Sequence, residues 1–150
     1  MIVVGVDPSD ESRAALAWAV EEGRIRRVPV LAVHAWELPV IATTSGLVPP
    51  EPEFAADLTQ IRQAAEEVVA ALVEEVAGGA SDVDVRPVAV EGKPVNALLD
   101  TAEREHAELI VVGSRGHGGF IGLLLGSVSD QVVRHASCPV VVHRRPQDGG

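Results

Sequence analysis

The segment VVGSRGHGGFIGLLLGSVSDQVV, residues 111–133, joins an apolar strand pattern to a helix pattern through a loop rich in glycine. Glycine weakens strands and helices, so its repetition indicates a sharply bent backbone or the close approach of another group. Gly113 and Gly116 can bring N–H groups up to an anion because neither carries a Cβ. Gly126 precedes Ser127, where a helix begins, and the free N–H groups of a helix N-terminus attract phosphate.

Side chains in this loop can add to phosphate binding. The Ser127 hydroxyl can donate a hydrogen bond, and Arg115 and His117 can reach a polyphosphate. A second interpretation stays open, in which Ser127 and Asp130 form only a capping box and the glycines only mark a loop.

Strand and helix patterns alternate along the whole chain. The start, MIVVGV (residues 1–6), is a continuous apolar run typical of a strand buried on both faces. Ser9 can cap the next helix, which carries Asp10 and Glu11 in its first turn and is expected to end at Gly23. The patterns predict strands over residues 1–6, 28–36, 82–90, 107–113 and 138–144, and helices over residues 10–23, 51–77, 93–105 and 127–136.

Five strands with a helix in each gap predict an α/β fold, a doubly wound parallel sheet with helices on both faces. Pro87 cannot donate to a strand ladder, which places the third strand at an edge and favours the order 3-2-1-4-5. In that order a crevice opens between the first and fourth strands, at their carboxyl ends. Asp7 follows the first strand and the glycine loop follows the fourth, so we expect both at this crevice.

Composition excludes several classes of protein. With 150 residues, 47% hydrophobic content and a mean hydropathy of +0.21, the chain is expected to form one domain over residues 1–150. A net charge of -10 argues against nucleic acid or an anionic membrane as a partner. The single cysteine, Cys138, suits a reducing compartment, and the apolar start is too short for a signal peptide. We therefore expect a cytoplasmic protein.

The spacing Gly113-x-x-Gly116, nine residues, then Gly126-Ser127 resembles the G-x-x-G-x9-G-[S/T] signature of the ATP-binding branch of the universal stress protein family. The segments VVGVDPSDES (3–12), LAVHAW (31–36) and SCPVVVHR (137–144) are similar to other blocks of that family, so the resemblance covers nearly the whole chain. It implies an ATP-binding or other adenine nucleotide-binding protein with a regulatory role in the stress response.

The resemblance also implies which residues contact the nucleotide. Asp7 would contact the ribose or phosphate end and help to hold Mg²⁺ through the nucleotide, and the backbone around Ala35 would contact the adenine. Pro8 departs from the family pattern and leaves the path of the chain after Asp7 open. Residues 37–52 match no block, and either a mobile flap or a variable loop fits them. The sugar and phosphates would lie against Val112, Gly113, Gly116, Gly126, Ser127 and Val128.

Other phosphate-binding classes fit the sequence less well. A P-loop needs a lysine directly after its glycines, but the only lysine, Lys93, follows the third strand. A dinucleotide fold needs G-x-G-x-x-G after the first strand, where this chain has DPSDES. A phospho-acceptor receiver domain would use Asp7 but also needs a second aspartate and a lysine, where this chain offers Glu91 and Arg144.

Binding is favoured over catalysis. The five histidines lack the spacing of a metal site, and no nucleophile is paired with a base, so we expect no catalytic and no metal-ligating residues. Slow ATP hydrolysis stays open. The competing hypothesis is a nucleotide-independent module that uses the same fold only to dimerise, with glycines that are purely structural.

The last strand predicts assembly. Val140–His143 would form the sheet edge opposite Pro87, and a bare apolar edge is a template for pairing with a second chain. Two-fold pairing of this edge would make a homodimer, which members of the resembling family often form. Alternatively, His143 and the neighbouring arginines shield the edge.

Overall fold

The computed structural model describes residues 1–37, 52–79, 82–116 and 125–145, and for residues 52–56 the description covers the backbone. One five-stranded sheet, all parallel, has the order β3-β2-β1-β4-β5, which confirms the predicted fold. The strands are β1 (Ile2–Gly5), β2 (Val30–Trp36), β3 (Val85–Glu91), β4 (Leu109–Gly113) and β5 (Val140–His143). The helices are α1 (Asp10–Arg26), α2 (Pro52–Ala77), α3 (Pro94–Arg104) and α4 (Ser127–His135).

The sheet is buried between two apolar layers. β1 lies at its centre, and Ile2, Val3 and Val4 are fully buried, as expected for a strand covered on both faces. Ile2 and Val4 pack with residues of α1 and α2, whereas Val3 packs with residues of α3 and α4. None of the described helices is long and apolar enough to cross a membrane.

Helix α1 begins as predicted but ends later. Ser9 is its N-cap, and the Ser9 Oγ accepts a hydrogen bond from the Ser12 N–H at 3.2 Å. The helix continues past Gly23 to Arg26 and is capped by Arg27 in the left-handed conformation, so the prediction that it ends at Gly23 is wrong. Gly23 is buried, and an added Cβ would lie 2.7 Å from the Val30 Cγ2. This glycine therefore allows close packing of helix on strand.

Helix α4 begins at Ser127, and its N-cap is Gly126. No side chain caps the helix, so the interpretation of Ser127 and Asp130 as a capping box is wrong. Asp130 instead pairs with Arg134 one turn later, at 2.9 Å. The Ser127 hydroxyl is therefore not used by a helix cap.

Strand β3 occupies the predicted edge. It pairs in parallel with β2, and the side chains of Arg86 and Pro87 are exposed. At the other edge, β5 pairs in parallel with β4. Of the segment 37–52 interpreted as a flap or a variable loop, residues 38–51 lie outside the described residues.

Candidate functional site at the carboxyl ends of β1 and β4

A cavity of about 350 Å³ opens at the carboxyl ends of β1 and β4, where the sheet order reverses. The structure brings nine of the ten predicted site residues to this one cavity, while His117 lies outside the described residues. The nine are Asp7, Ala35, Val112, Gly113, Arg115, Gly116, Gly126, Ser127 and Val128.

Asp7 is held in place by the start of α1. Its Oδ1 accepts hydrogen bonds from the Ser9 N–H at 2.9 Å and from the Ser9 hydroxyl, and its own N–H donates to the Ser12 Oγ at 2.8 Å. Pro8 lies within this turn, and its carbonyl accepts from the Arg13 Nη1 at 2.7 Å. The chain thus turns directly from β1 into α1, and the carboxylate of Asp7 borders the cavity.

The glycine loop lies directly against Asp7. A Cβ added to Gly116 would lie 2.7 Å from the Asp7 Oδ2, and one added to Gly113 would lie 3.1 Å from the Arg115 carbonyl oxygen. Contacts under 3.0 Å force the neighbouring group to move. Gly116 therefore lets the loop after β4 approach the carboxylate that follows β1.

Two buried serines hold the loop against α4. The Gly126 N–H donates to the Ser114 carbonyl at 2.7 Å, and the Ser129 hydroxyl shares its one proton between the carbonyl oxygens of Ser114 and Gly126, at 3.2 and 3.0 Å. The Ser114 N–H donates in turn to the His143 carbonyl of β5 at 2.8 Å. These bonds fix the first turn of α4, and with it Ser127 and Val128, at the cavity.

The side of the cavity near β2 and α3 is mostly apolar. The His34 Nδ1 lies 3.0 Å from the Val6 carbonyl oxygen. Because a carbonyl oxygen only accepts hydrogen bonds, Nδ1 is the donor, and this bond fixes the orientation of the imidazole ring. Leu98 reaches over Gly5, where an added Cβ would lie 2.8 Å from the Leu98 Cδ1. The cavity is also lined by residues that were not predicted as site residues, among them Ser12, His34, Pro94, Leu98 and Ser129.

The charges at the cavity are few. Among the described lining residues Arg115 is the cationic side chain, Asp7 is the acidic one, and the N-terminus of α4 adds partial positive charge. Within the described part of the chain, no group of three or more His, Cys, Asp or Glu side chains is placed to hold a metal ion. Glu91, the residue considered for a receiver domain, ends β3 and is not among the lining residues.

The fold and the cavity define a doubly wound parallel α/β protein with a crevice at its topological switch point. The chain belongs to the universal stress protein family, whose family model matches residues 1–144. It is 37% identical over 147 residues to the universal stress protein Rv2005c of Mycobacterium tuberculosis, covering 96% of this chain and 45% of that protein. The chain thus spans about half the length of that relative.

Solved structures of the family have the same fold. The universal stress protein UspA from Lactobacillus plantarum aligns with a TM-score of 0.73 and 25% identity over 94% of each chain. A universal stress protein in complex with cAMP aligns with a TM-score of 0.68 and 26% identity, covering 95% of this chain and 94% of that one. The protein from Archaeoglobus fulgidus in complex with dAMP aligns with a TM-score of 0.54 and 26% identity over 94% of each chain.

Proposed function

We propose that the cavity binds ATP and that the protein is a nucleotide-responsive regulator of the stress response rather than an enzyme. The observation that carries this proposal is the meeting of Asp7, the glycine loop and the N-terminus of α4 at one cavity. Its volume of about 350 Å³ is within the range of small-molecule sites. Relatives in complex with cAMP and dAMP favour an adenine nucleotide as the ligand.

The phosphates would bind at the loop and at the start of α4. Backbone N–H groups at a helix N-terminus have no partner within the helix, and the helix dipole favours an anion there. Ser127 is the first residue of α4 and has no capping role, so its hydroxyl can donate to a phosphate oxygen. Arg115 lines the cavity from the same loop and adds a positive charge. An acidic protein can hold a polyphosphate in this way.

The adenosine end would lie between Asp7 and the end of β2. Ala35 lines the cavity there beside Val33 and His34, and Val112 extends the apolar surface from β4. A concave, mostly apolar surface with a few polar groups is typical of sites for small molecules such as a nucleoside. Asp7 is the one carboxylate among the described lining residues, so a Mg²⁺ ion would arrive with the nucleotide and take most of its ligands from phosphate and water.

The Gly116→Val variant tests this proposal by calorimetric titration with ATP. The added Cβ would lie 2.7 Å from the Asp7 Oδ2, so the carboxylate would have to move, and the valine methyl groups would stand at the loop that is proposed to hold the phosphates. We expect ATP affinity to fall at least tenfold, since the carboxylate would be displaced and the methyl groups would hinder the approach of phosphate to the loop. The nucleotide content of the purified wild-type protein, released by acid, would identify the bound species directly.

Gly79→Val is the matched control, because an added Cβ at Gly79 meets nothing within 4 Å. This control is expected to keep wild-type affinity. A folded Gly116→Val protein with unchanged ATP affinity would contradict the site, and a wild-type protein that binds no adenine nucleotide would favour the nucleotide-independent module.

A further inference from the structure

Ser12 places a buried hydroxyl at the cavity. The residue lies in the first turn of α1, is 4% exposed and lines the cavity beside Asp7. Its Oγ accepts a hydrogen bond from the Asp7 N–H at 2.8 Å. Its own N–H donates to the Ser9 Oγ. The backbone contacts of Ser12 are therefore those of a helix start, and its side chain is turned toward Asp7, which follows β1.

The Ser12 hydroxyl uses only its acceptor capacity. A hydroxyl carries one proton to donate and two lone pairs that accept, and the bond from Asp7 uses one lone pair. Within the described part of the chain the proton of this hydroxyl reaches no acceptor. The other serines nearby differ, since the Ser9 hydroxyl donates to the Asp7 Oδ1 and the Ser129 hydroxyl shares its proton between two carbonyl oxygens. Because Ser12 lines the cavity, its hydroxyl proton can be donated to a group that enters the cavity.

We propose that Ser12 donates a hydrogen bond to a ribose hydroxyl of the bound nucleotide; this proposal rests on the proposed function. Ser12 borders the cavity next to the carboxylate of Asp7, which repels phosphate. A neutral hydroxyl of the ligand meets no such repulsion. Ser12 thereby recognises the sugar of the nucleotide, although it does not belong to the glycine signature.

Ser12 and Asp7 together match the chemistry of a ribose hydroxyl. Such a group accepts one hydrogen bond through its oxygen and donates another through its proton. The Ser12 O–H supplies a donor, and a carboxylate such as that of Asp7 accepts. The Ser12 Oγ is bonded to the Asp7 backbone N–H, and the Asp7 carboxylate is held by the Ser9 N–H and hydroxyl, so both groups are fixed at the cavity and can together bind one hydroxyl.

The test compares AMP with 2′-deoxy-AMP and 3′-deoxy-AMP on the wild-type protein and on Ser12→Ala. We expect the wild type to bind at least one deoxy analogue about threefold to tenfold more weakly than AMP, the effect of one hydrogen bond. Ser12→Ala is expected to lose a similar factor for AMP while losing much less for that analogue. This coupling between protein hydroxyl and sugar hydroxyl distinguishes contact with the ligand from a structural role.

Ser9→Ala is the matched control, since it removes a hydroxyl from the same turn and a bond to Asp7 but does not line the cavity. It is expected to change the affinities for all three nucleotides by one common factor. If Ser12→Ala does not fold, Ser12→Cys, whose thiol is a weak donor, is compared in the same way.

Three results would overturn the proposal. Equal affinity of the wild type for AMP and both analogues would exclude any contact with a ribose hydroxyl. An equal loss for all three ligands in Ser12→Ala would show that the residue only positions Asp7. A wild-type protein that binds none of these nucleotides and no ATP would remove the proposed function itself, whereas the first two results leave it standing.

Discussion

Gly116 is needed for space rather than for an unusual backbone conformation. Among the described glycines, Gly92 is the one with a positive φ, at 129°. Gly116 does not have a positive φ. What distinguishes Gly116 is its distance to Asp7, since a Cβ there would lie 2.7 Å from the carboxylate oxygen and would clash with it. The sequence showed that glycines recur in this loop, but whether a glycine serves a turn or a close contact depends on its neighbour in space.

Replacing Gly23 by alanine is predicted to destabilise the protein, although helix propensity alone would predict the opposite. Alanine is favoured over glycine within a helix by about 1 kcal/mol. The new Cβ in Gly23→Ala would meet the Val30 side chain at 2.7 Å and the Val28 carbonyl oxygen at 3.1 Å. Because overpacking in a core costs about 1–3 kcal/mol, we expect a net loss of unfolding free energy in urea denaturation.

Gly79→Ala serves as the comparison for Gly23→Ala. Its added Cβ meets nothing, so stability should stay close to that of the wild type. A Gly23→Ala protein more stable than the wild type would mean that the helix and the strand can separate at little cost.

At the scale of elements, all nine described helices and strands were predicted in the correct order. This was possible because apolar residues recur every three or four positions in the helices and form short alternating or continuous runs in the strands. Boundaries were less accurate. β3 begins at Val85 and not at Asp82, and α1 continues to Arg26. Local pattern cannot show that Gly23 packs on Val30 or that Ser129 bonds to the Ser114 carbonyl, because those partners are distant in sequence.

The start of α1 also carries a testable contribution to stability. Ser9 caps the helix and donates to the Asp7 carboxylate. Ser9→Ala is expected to lower the free energy of unfolding by about 1 kcal/mol, the typical effect of losing an N-cap. Thermal unfolding of the variant followed by circular dichroism measures this, and an unchanged midpoint would show that the cap is dispensable.

The end of α1 is joined to the segment before β3 by an ion pair. The Arg24 Nε donates to Asp82 at 2.5 Å, and this bond holds the pKa of the Asp82 carboxyl below its usual range. The pair therefore favours the folded state above the usual carboxyl pKa, and that contribution is lost as pH falls through the lowered value.

Carbon-13 NMR titration of the carboxyl groups tests this ion pair. In Arg24→Gln the pKa of Asp82 is expected to rise toward its usual value. Asp84 is an internal control, because its pKa is lowered by Arg86 and should not change. An Asp82 pKa that is the same in both proteins would show that Arg24 is not its partner in solution.

At the scale of the whole molecule, the two sheet edges differ. β3 exposes Pro87 at one edge, while β5 presents valines at the other. The carbonyls of Pro139 and His143 accept hydrogen bonds from the N–H groups of Ile110 in β4 and of Ser114, which follows β4. The N–H and C=O groups of successive residues in a strand point to opposite sides. The backbone groups of Val141 therefore also point toward β4, whereas the N–H groups of Val140 and Val142 point away from the sheet edge toward solvent. The homodimer stays a prediction, as do one domain over residues 1–150 and a cytoplasmic location.

Light scattering during size-exclusion chromatography tests the homodimer. We expect a dimeric mass at micromolar concentration and a monomeric mass for Val142→Pro, because proline removes an outward donor while the bonds to β4 remain. Val141→Pro is the comparison and is expected to lower stability, since it interrupts the ladder with β4. A monomeric wild type would contradict this interface.

The measurement that tests nucleotide binding at this cavity most directly is an amide NMR titration of the wild-type protein with ATP. Binding at the cavity predicts that the largest shifts occur at the backbone N–H groups of Gly116, Ser127 and Val128, since the phosphates would lie against them. Adenosine, which lacks phosphate, should shift Ala35 but leave the amides at the start of α4 nearly unchanged. Absence of shifts with ATP, or shifts confined to residues away from the cavity, would contradict the account.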